Sequence, residues 1–230
     1  MARRAWWSVI GLVCEISVVT VMAATNYVHP GGNDAAAGTN WSTAWQTVTN
    51  ALVRANEGDR IWVAAGTYSP GMNAADSIVL KSYVGPYGGF SNGMSDFNQR
   101  DWTNNATVLD GSNVNYHVVQ SLYMTNAMLD GFTVKRGKAN GAGWDLYGAG
   151  MLIRAGVPRV FNCVFTNNTA SSGSAGRGGG MCTDSVVDPN ALVSNCVFAV
   201  NTAYDGGGAL YPLSQYPVFN RCTFRNNAGS

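Results

Sequence analysis

Three stretches of the chain share one alternation of apolar and polar positions. They are Phe161-Asn-Cys-Val-Phe-Thr-Asn-Asn168, Ser194-Asn-Cys-Val-Phe-Ala-Val-Asn201 and Asn220-Arg-Cys-Thr-Phe-Arg-Asn-Asn227. In each copy a cysteine is followed two residues later by phenylalanine and three after that by asparagine. Residues two apart share one face of a strand, so cysteine and phenylalanine point the same way and the polar residues the other. A second string interleaves with the first: Gly148-Ala-Gly-Met151, Gly178-Gly-Gly-Met-Cys182 and Gly207-Gly-Ala-Leu210. The phenylalanines recur 33 and 26 residues apart and the apolar residues closing the glycine string 30 and 29 apart. Two independent strings keeping a loose period of about 30 define a structural repeat.

Each period holds at least two short strands joined at tight glycine corners, and neither strand can bury its apolar side alone. Stacking one period on the next, at about 4.8 Å, places like residues on like and makes a continuous core. The predicted fold is therefore all-β, a right-handed parallel β-helix with loops of varying length at one corner. Cys163, Cys196 and Cys222 would form an inward ladder beside Phe165, Phe198 and Phe224. Asn168, Asn201 and Asn227 would form a third ladder, their amides bonding from rung to rung. Cα atoms one rung apart lie within disulfide range, yet the expectation is free, buried thiols acting as small hydrophobes.

Earlier coils are less regular. Val108-Leu-Asp-Gly111 and Met128-Leu-Asp-Gly131, 20 residues apart, read as one coil, with Phe132-Thr-Val134 continuing the second. Arg60–Ala65 reads as the first strand and Gly66-Thr-Tyr68 as its corner. Before it, Trp45, Val48 and Leu52 keep helical spacing over a segment opened by Ser42, a short helix that would cap the open end of the solenoid. Residues 60–230 form some six rungs, and residues 25–59 a cap segment.

Composition agrees with this architecture and narrows the function. Charged residues make up 12% of the 230 and glycines number 28, against averages of about 25% charged and about 7% glycine. That excludes a charged helix bundle, and the 46% hydrophobic content excludes charged disorder. The net charge is +1, and without Arg3, Arg4 and Glu15 the remainder balances to zero, so no basic field attracts nucleic acid.

Residues 1–24 read as a secretory signal peptide: Arg3-Arg4, an apolar run from Ala5 to Val21, then Val21-Met-Ala-Ala24. Glu15 in the middle of the run argues against an uncleaved anchor, because a carboxylate at bilayer depth costs about 2.5–3.5 kcal/mol. Val13 before Cys14 argues against a lipoprotein. The expected location is secreted, or the outer membrane or cell surface of a Gram-negative-type bacterium, with no span in the mature chain. With no CxxC pair and only His29 and His117 as histidines, no sulfur-based metal site is expected.

Several stretches carry a resemblance. Tyr27-Val-His-Pro-Gly-Gly-Asn-Asp34, Gly38-Thr-Asn-Trp-Ser-Thr-Ala-Trp45 and Gly58-Asp-Arg-Ile-Trp-Val-Ala-Ala-Gly-Thr-Tyr68 resemble the start of exported bacterial right-handed parallel β-helix proteins. Gly88-Gly-Phe-Ser91, Arg100-Asp-Trp102 and Leu109-Asp-Gly111 resemble the stretch that follows in them. The Phe-x-x-Asn and Gly-Gly-x-apolar repeats resemble those of chlamydial polymorphic outer membrane proteins, although 148–151 and 178–181 carry Gly where Ala is usual. The resemblance implies a surface-exposed passenger used in adhesion, meeting a host or environmental surface and continuing into further domains. Ser230 falls in mid-repeat, which leaves the mode of anchoring open.

The expected function is thus an exported module for adhesion or carbohydrate binding, with no catalytic set. The alternative is a polysaccharide lyase of the pectate, alginate or chondroitin type acting on an anionic glycan, since the same fold hosts such enzymes. A lyase needs a base near the sugar C5 and a cation, often Ca²⁺ on carboxylates, to stabilise the enolate. Lys135, Arg136 and Lys138 with Asp110, Asp130 and Asp145 are the candidates. The competing reading makes the aspartates corner caps and the basic residues solvated turn. Asp184, Asp188 and Asp205 are candidates for a glycosidase carboxylate pair. His29 and His117 are expected at turns or on the surface. Trp41, Trp45 and Trp102 are either sugar platforms or, as expected, packing.

Overall fold

The computed structural model describes residues 23–171, 175–185, 191–213 and 217–229. Residues 1–22 of the segment 1–24 read as a signal peptide, and Asp188, therefore lie outside the described residues. The rest is a right-handed parallel β-helix of four sheets. The first sheet has seven strands: Thr25–Val28, Arg60–Ala64, Gly85–Phe90, Thr125–Asp130, Val157–Phe161, Leu192–Ser194 and Val218–Asn220. The second has six: Gly66–Tyr68, Thr107–Asp110, Phe132–Lys135, Val164–Thr166, Val197–Ala199 and Thr223–Arg225. The third runs through Ile78–Val79, Val119–Leu122, Met151–Arg154, Met181–Asp184 and Leu210–Pro212. A narrow fourth sheet joins Lys138–Ala139, Thr169–Ala170, Thr202–Ala203 and Ala228–Gly229. No helix among the described residues is long and apolar enough to cross a membrane.

The repeats set the register of the later coils. Phe165 pairs with Phe198 and Phe198 with Phe224. Their rings stack at centroid distances of 4.9 and 5.0 Å, with interplanar angles of 7° and 8°. Asn168 Nδ2 donates to Asn201 Oδ1, and Asn201 Nδ2 to Asn227 Oδ1, both at 3.0 Å. Each of the three amides also donates to a carbonyl one rung up, at Val134, Phe165 and Phe198. Asn168 and Asn201 are wholly buried, so the ladder replaces water for backbone groups that the corner leaves unpaired. The four described cysteines are free. The Cys163, Cys196 and Cys222 thiols donate to the carbonyls of Phe161, Ser194 and Asn220 two residues before them. Gly148, Gly178 and Gly207 turn the corners with φ of 64°, 65° and 61°, the left-handed region that glycine enters without strain.

The first coils depart from expectation. The first strand is Thr25–Val28, inside the segment read as a cap, and Gly66–Tyr68 is a strand of the second sheet rather than a corner. The helix is Val48–Arg54, capped by Thr47, whose hydroxyl accepts from Asn50 N at 3.2 Å; Ser42 lies in a separate 3₁₀ turn, Trp41–Thr43. Thr47 itself is held by Asp34, which accepts from its amide and hydroxyl and from Gln46 N. Val48, Ala51 and Leu52 still close the N-terminal end of the inner core. The two Leu-Asp-Gly strings are not equivalent: Asp110 ends a strand of the second sheet and Asp130 a strand of the first. Leu109 in fact pairs with Val134, so the true coil is longer than the 20-residue spacing between the strings.

Candidate functional site

The sequence candidates separate into distinct local clusters. On the second sheet Asp110 accepts from Arg136 Nε at 2.7 Å and Nη2 at 2.5 Å, and Lys135 Nζ lies 3.5 Å away. Burial pushes the Asp110 carboxyl up, but the Arg136 hydrogen bonds, the Ser112 amide and the two neighbouring charges outweigh it and hold it below the ordinary range. The same bonds push the Arg136 guanidinium further up. Asp130 belongs to another corner, where Arg100 grips it bidentately at 2.8 and 3.1 Å and Asn162 donates at 2.8 Å. Asp145 faces His117 Nε2 at 3.3 Å. Lys138 is exposed at the edge of the fourth sheet. Lys135 and Arg136 therefore share one carboxylate, Asp110, and the other two aspartates have partners of their own.

No group of three or more His, Cys, Asp or Glu among the described residues is arranged to hold a metal ion. Asp110 and Asp130 already carry two cations and one, so they do not fit Ca²⁺. Of the proposed glycosidase acids, Asp205 is paired with Arg177 at 2.6 Å, and Asp184 ends a strand of the third sheet.

His117 corrects an expectation. It is 3% exposed rather than a surface residue, with Nδ1 at 3.1 Å from the Gly148 carbonyl. Burial pushes its pKa down against the favourable pull of Gly148 and Asp145. His29 does lie in a turn, accepting from Gly31 N. Trp45 is packed beneath the cap, with its indole N–H bonded to Ala36 O at 2.9 Å.

The feature that the sequence did not announce lies on the outward face of the first sheet. Alternation sends Ile61, Leu129 and Val160 inward and Trp62, Tyr87 and Phe161 outward. Two loops fold over that face and build an aromatic layer outside the sheet. Trp62 stacks on Phe90 at 4.5 Å, Tyr27 meets Trp41 at 4.8 Å, and Phe97 sits edge-on to Tyr87 at 5.0 Å. Arg100 locks the second loop, donating to Gly88 O and lying over Tyr87, Phe97 and Trp102. Trp41 thus packs within this layer, and Trp102, partly exposed, lies against the Arg100 guanidinium at its edge.

Beside the layer runs a concave strip of about 250 Å³, lined among others by Arg60, Tyr83, Tyr87, Met128 and Arg159. Arg60 pairs with Gly85, Tyr87 with Asp130, and Arg159 with Met128, which puts Arg60, Gly85, Met128 and Arg159 in one column. The Tyr87 ring folds back over Gly85, where a Cβ would stand 2.7 Å from its Cε2. Glycine at 85 therefore makes the seat for the ring between the two arginines. Both arginines are exposed. Among the described residues neither has a carboxylate at ion-pair distance. Each instead lies against a ring, Arg60 over Phe97 at 5.7 Å and Arg159 over Phe161 at 5.4 Å. Asp59, next to Arg60 in the chain, is committed to Ala24 N, Asn56 N and Asn26 Nδ2. Burial raises the Tyr87 pKa and outweighs the fields of Arg60, Arg100 and Arg159, so its phenol stays protonated and acts as a donor.

A structure named "Rhamnogalacturonan lyase" is similar to this chain, with a TM-score of 0.41 and 15% identity over 90% of this chain. The chain spans 62% of the length of that structure. No curated protein matches. A family model described as "Protein of unknown function (DUF1565)" matches residues 30–205, most of the chain and nearly every coil described above. The protein belongs to the DUF1565 family.

Proposed function

We propose that this protein is an exported glycan-binding module that presents the outward face of its first sheet to a polysaccharide at a cell or environmental surface. The observation that carries this reading is the Arg60–Tyr87–Arg159 strip, a shallow groove with an aromatic ring and hydrogen-bond donors on a rigid sheet. Rigid scaffolds of this kind bind without the cost of ordering a loop. The adhesive role implied by the polymorphic outer membrane protein-like repeats fits the same face, since attachment through glycans is a form of adhesion.

Lyase chemistry has less support. Arg136 is held protonated by Asp110, and Tyr87 is held protonated by burial, so neither offers a base near neutral pH. Retardation of the full chain in native gels containing single polysaccharides tests the binding reading. Retardation by at least one glycan, removed by Tyr87→Ala, is expected. Free migration through all of them would count against it. Incubation with the same polysaccharides, with and without Ca²⁺, tests the lyase: release of unsaturated product would replace binding by turnover.

A further inference from the structure

The strip has a length and a sign of charge that together specify its ligand. Arg60 and Arg159 stand in one column with Gly85 and Met128 between them. Three rung steps of about 4.8 Å separate their Cα atoms by about 14 Å along the helix axis. Each guanidinium offers a planar fork of donors suited to carboxylate or sulfate, and among the described residues neither has a carboxylate at ion-pair distance. Arg100, by contrast, is spent on Asp130 and the Gly88 carbonyl. The aromatic layer borders the strip on one side, and Tyr83 and Asn126 line it on the other. A 1,4-linked pyranose ring advances its chain by close to one rung, so rings and rungs keep step.

We propose, resting on the glycan-binding reading above, that the strip takes an acidic oligosaccharide laid parallel to the helix axis, with one anionic group on Arg60, a second on Arg159, and a sugar ring against Tyr87 between them. Both ends are engaged only by a chain of four or more rings. The neutral phenol of Tyr87 donates to a ring hydroxyl, and Met128 with the Tyr87 ring seated on Gly85 forms the floor. The selectivity is for spaced negative charge on a stiff sugar backbone rather than for charge alone.

Calorimetric titration of the full chain with oligogalacturonates of two to six rings tests this, alongside neutral cello-oligosaccharides and poly-L-glutamate. Affinity is expected to rise at least about tenfold between three and four rings, as the second charge-assisted contact forms. Arg60→Gln and Arg159→Gln should each remove that step and lower tetramer affinity about tenfold. Arg225→Gln, exposed on the second sheet, should leave it unchanged. Because both strip arginines are exposed, their variants keep the fold, verified by an unaltered urea midpoint. Equal binding of neutral and acidic chains would overturn the acidic specificity while leaving glycan binding intact. Poly-L-glutamate binding as tightly as the tetramer, or a smooth rise with length, would also overturn it. Binding of no saccharide at all would remove both this inference and the reading beneath it.

Discussion

The early and late coils of the same solenoid use opposite faces of their strands for their distinctive residues. From Cys163 onward the informative side chains point inward: stacked phenylalanines, bridged asparagines and thiols repeat in each rung. Between Thr25 and Phe161 the inner core is mostly aliphatic with no repeated ladder, and the distinctive residues stand outside the first sheet under two covering loops. Inward ladders need the same residue in every rung, because each group is the hydrogen-bond or stacking partner of the next. An outward site needs different residues at each level, because a ligand reads them together. Repetition therefore marks the part that holds the molecule up, and irregularity marks the face to which we assign the proposed binding.

Removing one member of each arrangement sharpens that contrast. The largest effect is expected from Phe198→Ala, which breaks both ring stacks and opens a cavity in the inner core; a loss of about 3–5 kcal/mol, read from urea midpoints, follows from comparable truncations. Arg100→Ala should cost about 3 kcal/mol, because it leaves the nearly buried Asp130 without its cation and strips the support from Phe97 and Tyr87. Asn201→Ala should cost about 2–3 kcal/mol, since it orphans the Asn168 amide and the Phe165 carbonyl. A loss under about 0.5 kcal/mol would show the ladder to be dispensable. Arg136→Ala should cost less than Arg100→Ala in the same urea midpoints, because the buried Asp110 keeps Lys135 at 3.5 Å and the Ser112 amide.

The smallest effect concerns pH. The His117 pKa is lower in the folded protein than in the unfolded chain, so the unfolded state binds the proton first. Its contribution is fully present above the unfolded value of about 6.5 and is lost as pH falls from there through the folded value. Unfolding midpoints measured across this window should decline toward acid, and His117→Asn should flatten the decline. An unchanged slope in the variant would assign the acid sensitivity to other groups.

The repeat was legible because its physics is local and recurrent. A cysteine and a phenylalanine two apart, with an asparagine three on, declare one strand, one corner and one inward face wherever they occur. The groove was not legible for the converse reason. Arg60, Gly85, Met128 and Arg159 stand 25, 43 and 31 residues apart, with no shared motif, and loops of unequal length bring them into one column. The lyase candidates failed to converge for the same cause: Asp110 and Asp130 carry identical neighbours, Leu before and Gly after, yet lie on different sheets. His117 carried no signal either, because burial came from a glycine corner one rung away, at Gly148.

By itself the sequence determined the class of fold, the period and the three inward ladders, because a stacked rung is specified by contacts between a motif and its own next copy. Only the tertiary structure decided which outward residues share a surface and which charges are already spent. Those depend on register across loops, and a parallel rung imposes no constraint on how long the chain travels before it returns.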